Sequence, residues 1–199
     1  MRNRQRKRRV IVVTDGDSMA LRALKMAAKQ TGCRLISRSA GSPTPLSGPE
    51  IVHWILRAQS DPVIIMFDDN GNQLDNTAEI SMSYVLSHPS IEVIGVLAVA
   101  SNAQSQQGIQ VHCSVTPDLR IVTSAVNKEG WPTQRFNLKG DTVDILRKFS
   151  IPMIVGIGDL GKMHGNDAPA KASPVTTKAI QLILKTQQSP QHSCFEHIE

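Results

Sequence analysis

Val10-Ile11-Val12-Val13-Thr14-Asp15-Gly16-Asp17-Ser18 sets the architecture of this chain. Four β-branched apolar residues in a row read as a strand buried on both faces. Thr14-Asp15-Gly16 ends it at a turn. Asp17 or Ser18 then caps a helix that puts Ala20, Leu21, Leu24 and Ala28 on one face, and Gly32 stops it. A buried strand that feeds an amphipathic helix is the opening half of a βαβ unit.

The cycle recurs along the chain. Arg34–Ser37 reads as a second short strand, followed by the loop Gly41-Ser42-Pro43-Thr44-Pro45. Pro49 opens a helix with Ile51, Val52, Ile55 and Leu56 on its face. Val63–Phe67 is a strong strand ending in Asp68-Asp69-Asn70-Gly71, and a helix from Asn76 to Leu86 follows. Ile91–Val99 is a continuous apolar run, read as a central strand. Asp141 is expected to cap a helix through Phe149, Ile151–Ile157 to form the last core strand, and Ser173-Pro174 to open the final helix. Residues 103–139 break the rhythm with polar, alternating stretches and read as a small β excursion on the sheet edge. The expected fold is one α/β domain over residues 10–187, a mostly parallel sheet in three layers, Toprim-like or Rossmann-like. A basic leader (1–9) and a tail (188–199) flank it, both expected to be disordered.

Composition narrows the function. The net charge is +5, yet residues 1–9 hold six basic residues and no acid, and the remainder carries 16 basic and 17 acidic residues. The basic character therefore reads as a tail that can touch anionic membrane. No basic-aromatic stripe accompanies Trp54 or Trp131, so no specific nucleic acid is expected. No run approaches the ~20 apolar residues of a membrane helix, and Val10–Val13 is too short for a signal-peptide core. The three cysteines are scattered, which argues against a disulfide framework.

The chemistry sits at the strand ends. Asp15 and Asp17 flank Gly16, Asp68 and Asp69 follow Phe67, and Asp159 follows Gly158. A parallel sheet points these ends one way, where α/β folds bind ligands. Clustered carboxylates repel unless a cation or proton joins them. As hard oxygen ligands, Asp15, Asp17, Asp68 and Asp69 suit Mg²⁺ or Ca²⁺. Capping and turn formation explain one Asp per loop, though not the doubled pairs. Gly156-Ile157-Gly158-Asp159-Leu160-Gly161-Lys162-Met163 matches a phosphate loop only loosely. Met163 stands where a Ser or Thr belongs, and His164–Pro169 intervenes before any helix. A Gly-rich rim around a pocket is the better reading. No nucleophile motif or zinc spacing is present, so no catalytic residue is expected.

In this order, Val12-Val13-Thr14-Asp15-Gly16-Asp17, Gly41-Ser42-Pro43-Thr44, Gly48-Pro49-Glu50, Asp61-Pro62-Val63, Met66-Phe67-Asp68-Asp69, Val99-Ala100-Ser101-Asn102, Gly140-Asp141-Thr142 and Val155-Gly156-Ile157-Gly158-Asp159 with Gly161-Lys162-Met163 resemble the soluble stage V sporulation protein AE family of spore-forming Firmicutes. The resemblance spans residues 9–186. It implies a role in the developing and germinating spore, beside the membrane proteins of the same operon that move calcium dipicolinate across the spore inner membrane. The expected protein is a soluble, cytoplasmic-type, non-enzymatic accessory, peripheral to that membrane. Asp15-Gly16-Asp17-Ser18-Met19-Ala20 before an Ala-rich helix also resembles the acidic run of Toprim domains. Toprim domains pair that run with an earlier glutamate, a role that would fall here to Asp68 and Asp69. That likeness implies a Mg²⁺-dependent phosphoryl-transfer or nucleic-acid enzyme. A small-molecule or cation binder is the third expectation.

Overall fold

Strand β1 (Arg8–Val13) lies at the centre of the sheet, and its last four residues are fully buried. The computed structural model describes residues 6–70, 77–102 and 107–187. On one side β1 pairs in parallel with β3 (Val63–Met66), and on the other with β4 (Ile91–Val99). Beyond β3 lies the short β2 (Arg34–Leu35). Beyond β4 lies β9 (Ile154–Ile157). β6 (Cys113–Val115) adds in parallel to β9, and β7 (Ile121–Val122) closes the edge as the sheet's antiparallel strand. The order is β2-β3-β1-β4-β9-β6-β7, a sheet of seven strands that is mostly parallel, as expected. The excursion supplies β6 and β7 and also a separate two-stranded ribbon, β5 (Ile109–Gln110) with β8 (Asn137–Leu138).

Helices cover both faces because alternate strand residues face opposite layers. Helix α1 (Ser18–Thr31) and helix α4 (Pro174–Thr186) pack over Ile11, Val13, Ile64, Met66, Leu97 and Val155. Helix α2 (Gly48–Leu56) and helix α3 (Thr77–Ser87) pack over Val10, Val12, Val63, Ile65 and Phe67. Neighbouring strands β1 and β3 thus feed helices on opposite faces, α1 and α3. Their connections part company at the carboxyl ends and open a crevice there.

Several local readings change. Arg8 and Arg9 of the basic stretch belong to β1. Arg9 is held by Asp61, whose Oδ2 lies 2.8 Å from Arg9 Nε and whose Oδ1 accepts from its backbone N–H at 2.9 Å. Asp141 caps no helix, because the chain turns at Thr142 (φ 53°) and makes only a 3₁₀ turn at Asp144–Lys148. The last strand begins at Ile154 rather than Ile151, since Pro152 has no N–H to give a ladder. Ser173-Pro174 opens α4 as expected, and the side chain of Ser173 makes no capping hydrogen bond. Buried Asp167 reaches in instead, accepting from Thr176 N at 2.9 Å, Thr176 Oγ1 at 2.5 Å and Gly161 N at 2.8 Å. Asn76 and the tail lie outside the described residues.

Candidate functional site

Three loops meet where β1, β3 and β4 end. Thr14 leaves β1 with its Oγ1 accepting from Val99 N at 3.0 Å, which ties the end of β1 to the end of β4. The next peptide runs into the loop after β2: Gly41 N donates to Gly16 O at 2.9 Å. That loop in turn grips the end of β3. Thr44 N donates to Asp68 O at 2.8 Å, and Asp68 N donates to Thr44 Oγ1 at 2.8 Å. Gly16 N then points at Asp68 Oδ2, 3.3 Å away. Gly16 has to be glycine on space alone: a Cβ there would stand 2.3 Å from Gly41 O and 2.7 Å from Asp68 Cβ.

Around these junctions lies a cleft of about 430 Å³, lined by Thr14, Asp15, Asp17 and Asp68 with Ser101, Asn102, Asp141, Asp159, Lys128 and Lys162 among its walls. Of the expected site residues, Asp15, Asp17, Asp68 and Asp159 line it. Asp69 does not. Gly16 and Gly158 do not line it either, and serve instead as the close-approach points behind it. A Cβ on Gly158 would meet Lys128 O at 2.7 Å and Gly130 N at 2.6 Å, so the excursion loop sits directly on the β9 end. Asp159 N donates to Lys128 O at 2.8 Å and completes that junction.

The charges are unevenly matched. Asp17 caps α1, with its Oδ1 accepting from Met19 N and Ala20 N at 2.7 Å each, and its Oδ2 lies 2.8 Å from Lys162 Nζ. Burial alone would raise its pKa, but the Lys162 and amide bonds outweigh burial and hold Asp17 below its ordinary value. Lys162 also lies 3.0 Å from Asp159 Oδ1, and Lys128 lies 3.6 Å from Asp159 Oδ2. Burial works against the Lys162 charge, yet its two carboxylate partners push its pKa up on balance. Among the described residues Asp15 has no such cation. Burial first, then the nearby charges of Asp17, Asp68 and Asp159, raise its pKa to about 7, against one opposing hydrogen bond from Asp17 N. Asp141 is also raised, by burial and then by Asp68, against a hydrogen bond with Ser101 and the charge of Lys128.

Among the described residues no group of three or more His, Cys, Asp or Glu side chains is arranged to hold a metal ion. The donor chemistry of Asp15, Asp68 and Asp141 still suits a hard cation. Asp17 and Asp159 are already met by lysine. A cation seated here would therefore have to bring much of its own coordination.

Sequence reasoning missed Lys128 and Asp141 as cleft residues. Lys128 comes from a part of the excursion beyond its alternating stretches, and Asp141 reads as a cap. Lys162 had a signal, the Gly-Lys pair of the loose phosphate-loop match, and it does stand on the rim that reading expected.

Fold and cleft together define an α/β protein with a charged strand-end cleft, doubly covered by helices. The model of the family described as Stage V sporulation protein AE1 matches residues 9–187, and the chain belongs to that family, whose name marks it as a sporulation protein. Searches of curated proteins and of solved structures returned no match. No helix among the described residues is long and apolar enough to cross a membrane.

Proposed function

We propose that this protein is a non-enzymatic accessory of the machinery that handles calcium dipicolinate at the spore inner membrane, working beside the membrane proteins of its operon, and that the strand-end cleft holds the chelate. One observation carries the reading. The cleft presents both signs of charge, with Asp15, Asp68 and Asp141 in its lining and Lys128 and Lys162 there as well. A bare dicarboxylate would be repelled by the acids. Among the described residues a bare divalent ion would find no cage. A cation that arrives with its own carboxylate ligands suits both halves: the aspartates meet the metal and the ammoniums meet the carboxylates. The family resemblance supports the choice of dipicolinate among such chelates.

A second reading rests on Asp15. A cleft carboxyl with a pKa of about 7 is suited to general acid–base work, and it favours the Mg²⁺-dependent phosphoryl-transfer alternative. Calorimetric titration separates the two. The accessory reading expects calcium dipicolinate to bind more tightly than either Ca²⁺ or dipicolinate alone. Tight Mg²⁺ binding together with phosphatase or nuclease activity lost in Asp15→Asn would replace it.

A further inference from the structure

The chain's near-neutral average beyond its leader conceals an uneven spread of charge among its described α-helices. Helices α1 and α4 contain Arg22, Lys25, Lys29, Lys178 and Lys185 and no Asp or Glu at all. Helices α2 and α3 contain Glu50 and Glu79 and no Lys or Arg. The basic reading drawn from composition was of a tail and not a face, and the structure adds the face.

The cations are placed to act together. α1 buries Ala20, Ala23, Leu24, Ala27 and Ala28, which leaves Arg22, Lys25 and Lys29 exposed on its outer side. α4 buries Val175, Ala179, Ile180 and Ile183, with Gln181 and Lys185 exposed and Lys178 partly so. The two helices pack side by side on one sheet face. A groove along α4, between it and Leu119 and Ile121 at the β7 edge, has Gln30 of α1 at one end and is lined by Lys171, Lys178 and Lys185 and, among the described residues, by no carboxylate. Lys171, Lys178 and Lys185 recur every seven residues, so two turns of helix separate the last two along one stripe. Both helices return from the strand ends towards the start of β1, where the leader joins the fold.

We infer that this α1–α4 face docks on an anionic lipid bilayer. The match is one of shape as well as sign. The charges spread over two helices roughly 20 Å long, and no aromatic side chain stands on either helix to stack a base. Partly buried Leu21, Met26 and Leu184 lie between the cations, as suits contact with a headgroup layer. Each basic residue near an anionic surface is worth about fivefold in partitioning, and the attraction weakens as salt is raised. The inference stands apart from the cleft, which opens at the strand ends.

The test is vesicle co-sedimentation of the full chain with phosphatidylcholine vesicles, with and without phosphatidylglycerol. Lys25→Glu/Lys185→Glu changes the face. Arg147→Glu/Lys148→Glu makes the same change in net charge on exposed residues of the opposite layer and is the control. All carry the same leader. The expected result is salt-sensitive binding to the anionic vesicles only, kept by the control and weakened about 25-fold or more in the face variant. Equal binding by both variants would assign the attraction to the leader or to bulk charge and overturn the inference. Tighter binding of double-stranded DNA or RNA than of vesicles at the same salt would also overturn it.

Discussion

Lys162 Nζ stands between two carboxylates, 2.8 Å from Asp17 Oδ2 and 3.0 Å from Asp159 Oδ1, and so joins the loop after β1 to the loop after β9. Lys162→Met removes that join. Both Lys162 and Asp17 keep more than a third of their side-chain surface in water, so solvent screens the pair. The expected loss is about 0.5–1 kcal/mol, or roughly 1–4 °C in Tm by thermal melt. Its effect on ligand affinity is expected to be larger, because the ammonium is one of two that line the cleft among the described residues.

Asp15 makes stability depend on pH in an unusual direction. Its folded pKa, about 7, lies above the ordinary 3.8. Below both values each state is protonated. Between them the folded state keeps a proton that the unfolded chain has released, so stability falls as pH rises from about 4 to 7 and then levels. Asp15→Asn keeps the acceptor for Asp17 N and removes the charge. The variant is expected to be more stable than wild type by about 1–3 kcal/mol above pH 7, with the gain vanishing towards pH 4. Urea denaturation across that range measures it.

Gly16 is where the loops after β1, β2 and β3 touch. Gly16→Ala forces a methyl against Gly41 O and Asp68 Cβ, both of them parts of the main chain or close to it. Overpacking of this kind costs about 1–3 kcal/mol. The variant is expected to lose that stability in chemical denaturation and to bind cleft ligands less well, because Asp15 and Asp68 move apart.

Asp167 satisfies the start of α4, where Ser173 makes no side-chain capping bond. It lies fully buried and accepts from Gly161 N, Thr176 N and Thr176 Oγ1. Asp167→Ala leaves these donors unpaired and is expected to cost about 2–4 kcal/mol. Hydrogen exchange should then rise first at the start of α4 and at Gly161.

Much of this was legible in the chain. Val10–Val13, Val63–Met66 and the Ile91–Val99 run announced buried parallel strands, and Asp17 and Gly32 bracketed α1 as caps should. The doubled aspartates marked the strand ends that line the cleft. What escaped has a physical reason in each case. Pro152 shortens β9 through a missing N–H that an apolar count does not register. Asp167 holds the start of α4 from six residues before Ser173, a spacing that no local capping pattern registers. Lys128 reaches the cleft from a loop with no period to read. The basic α1–α4 face was hidden because net charge averages over residues that folding separates.

The most direct test of the cleft as a chelate site is calorimetric titration of calcium dipicolinate into wild type and into Asp15→Asn/Asp68→Asn, with folding of both checked by circular dichroism. The account predicts saturable binding by wild type and a loss of tenfold or more in the double variant. Equal binding by the two proteins, or no binding by wild type, would contradict it.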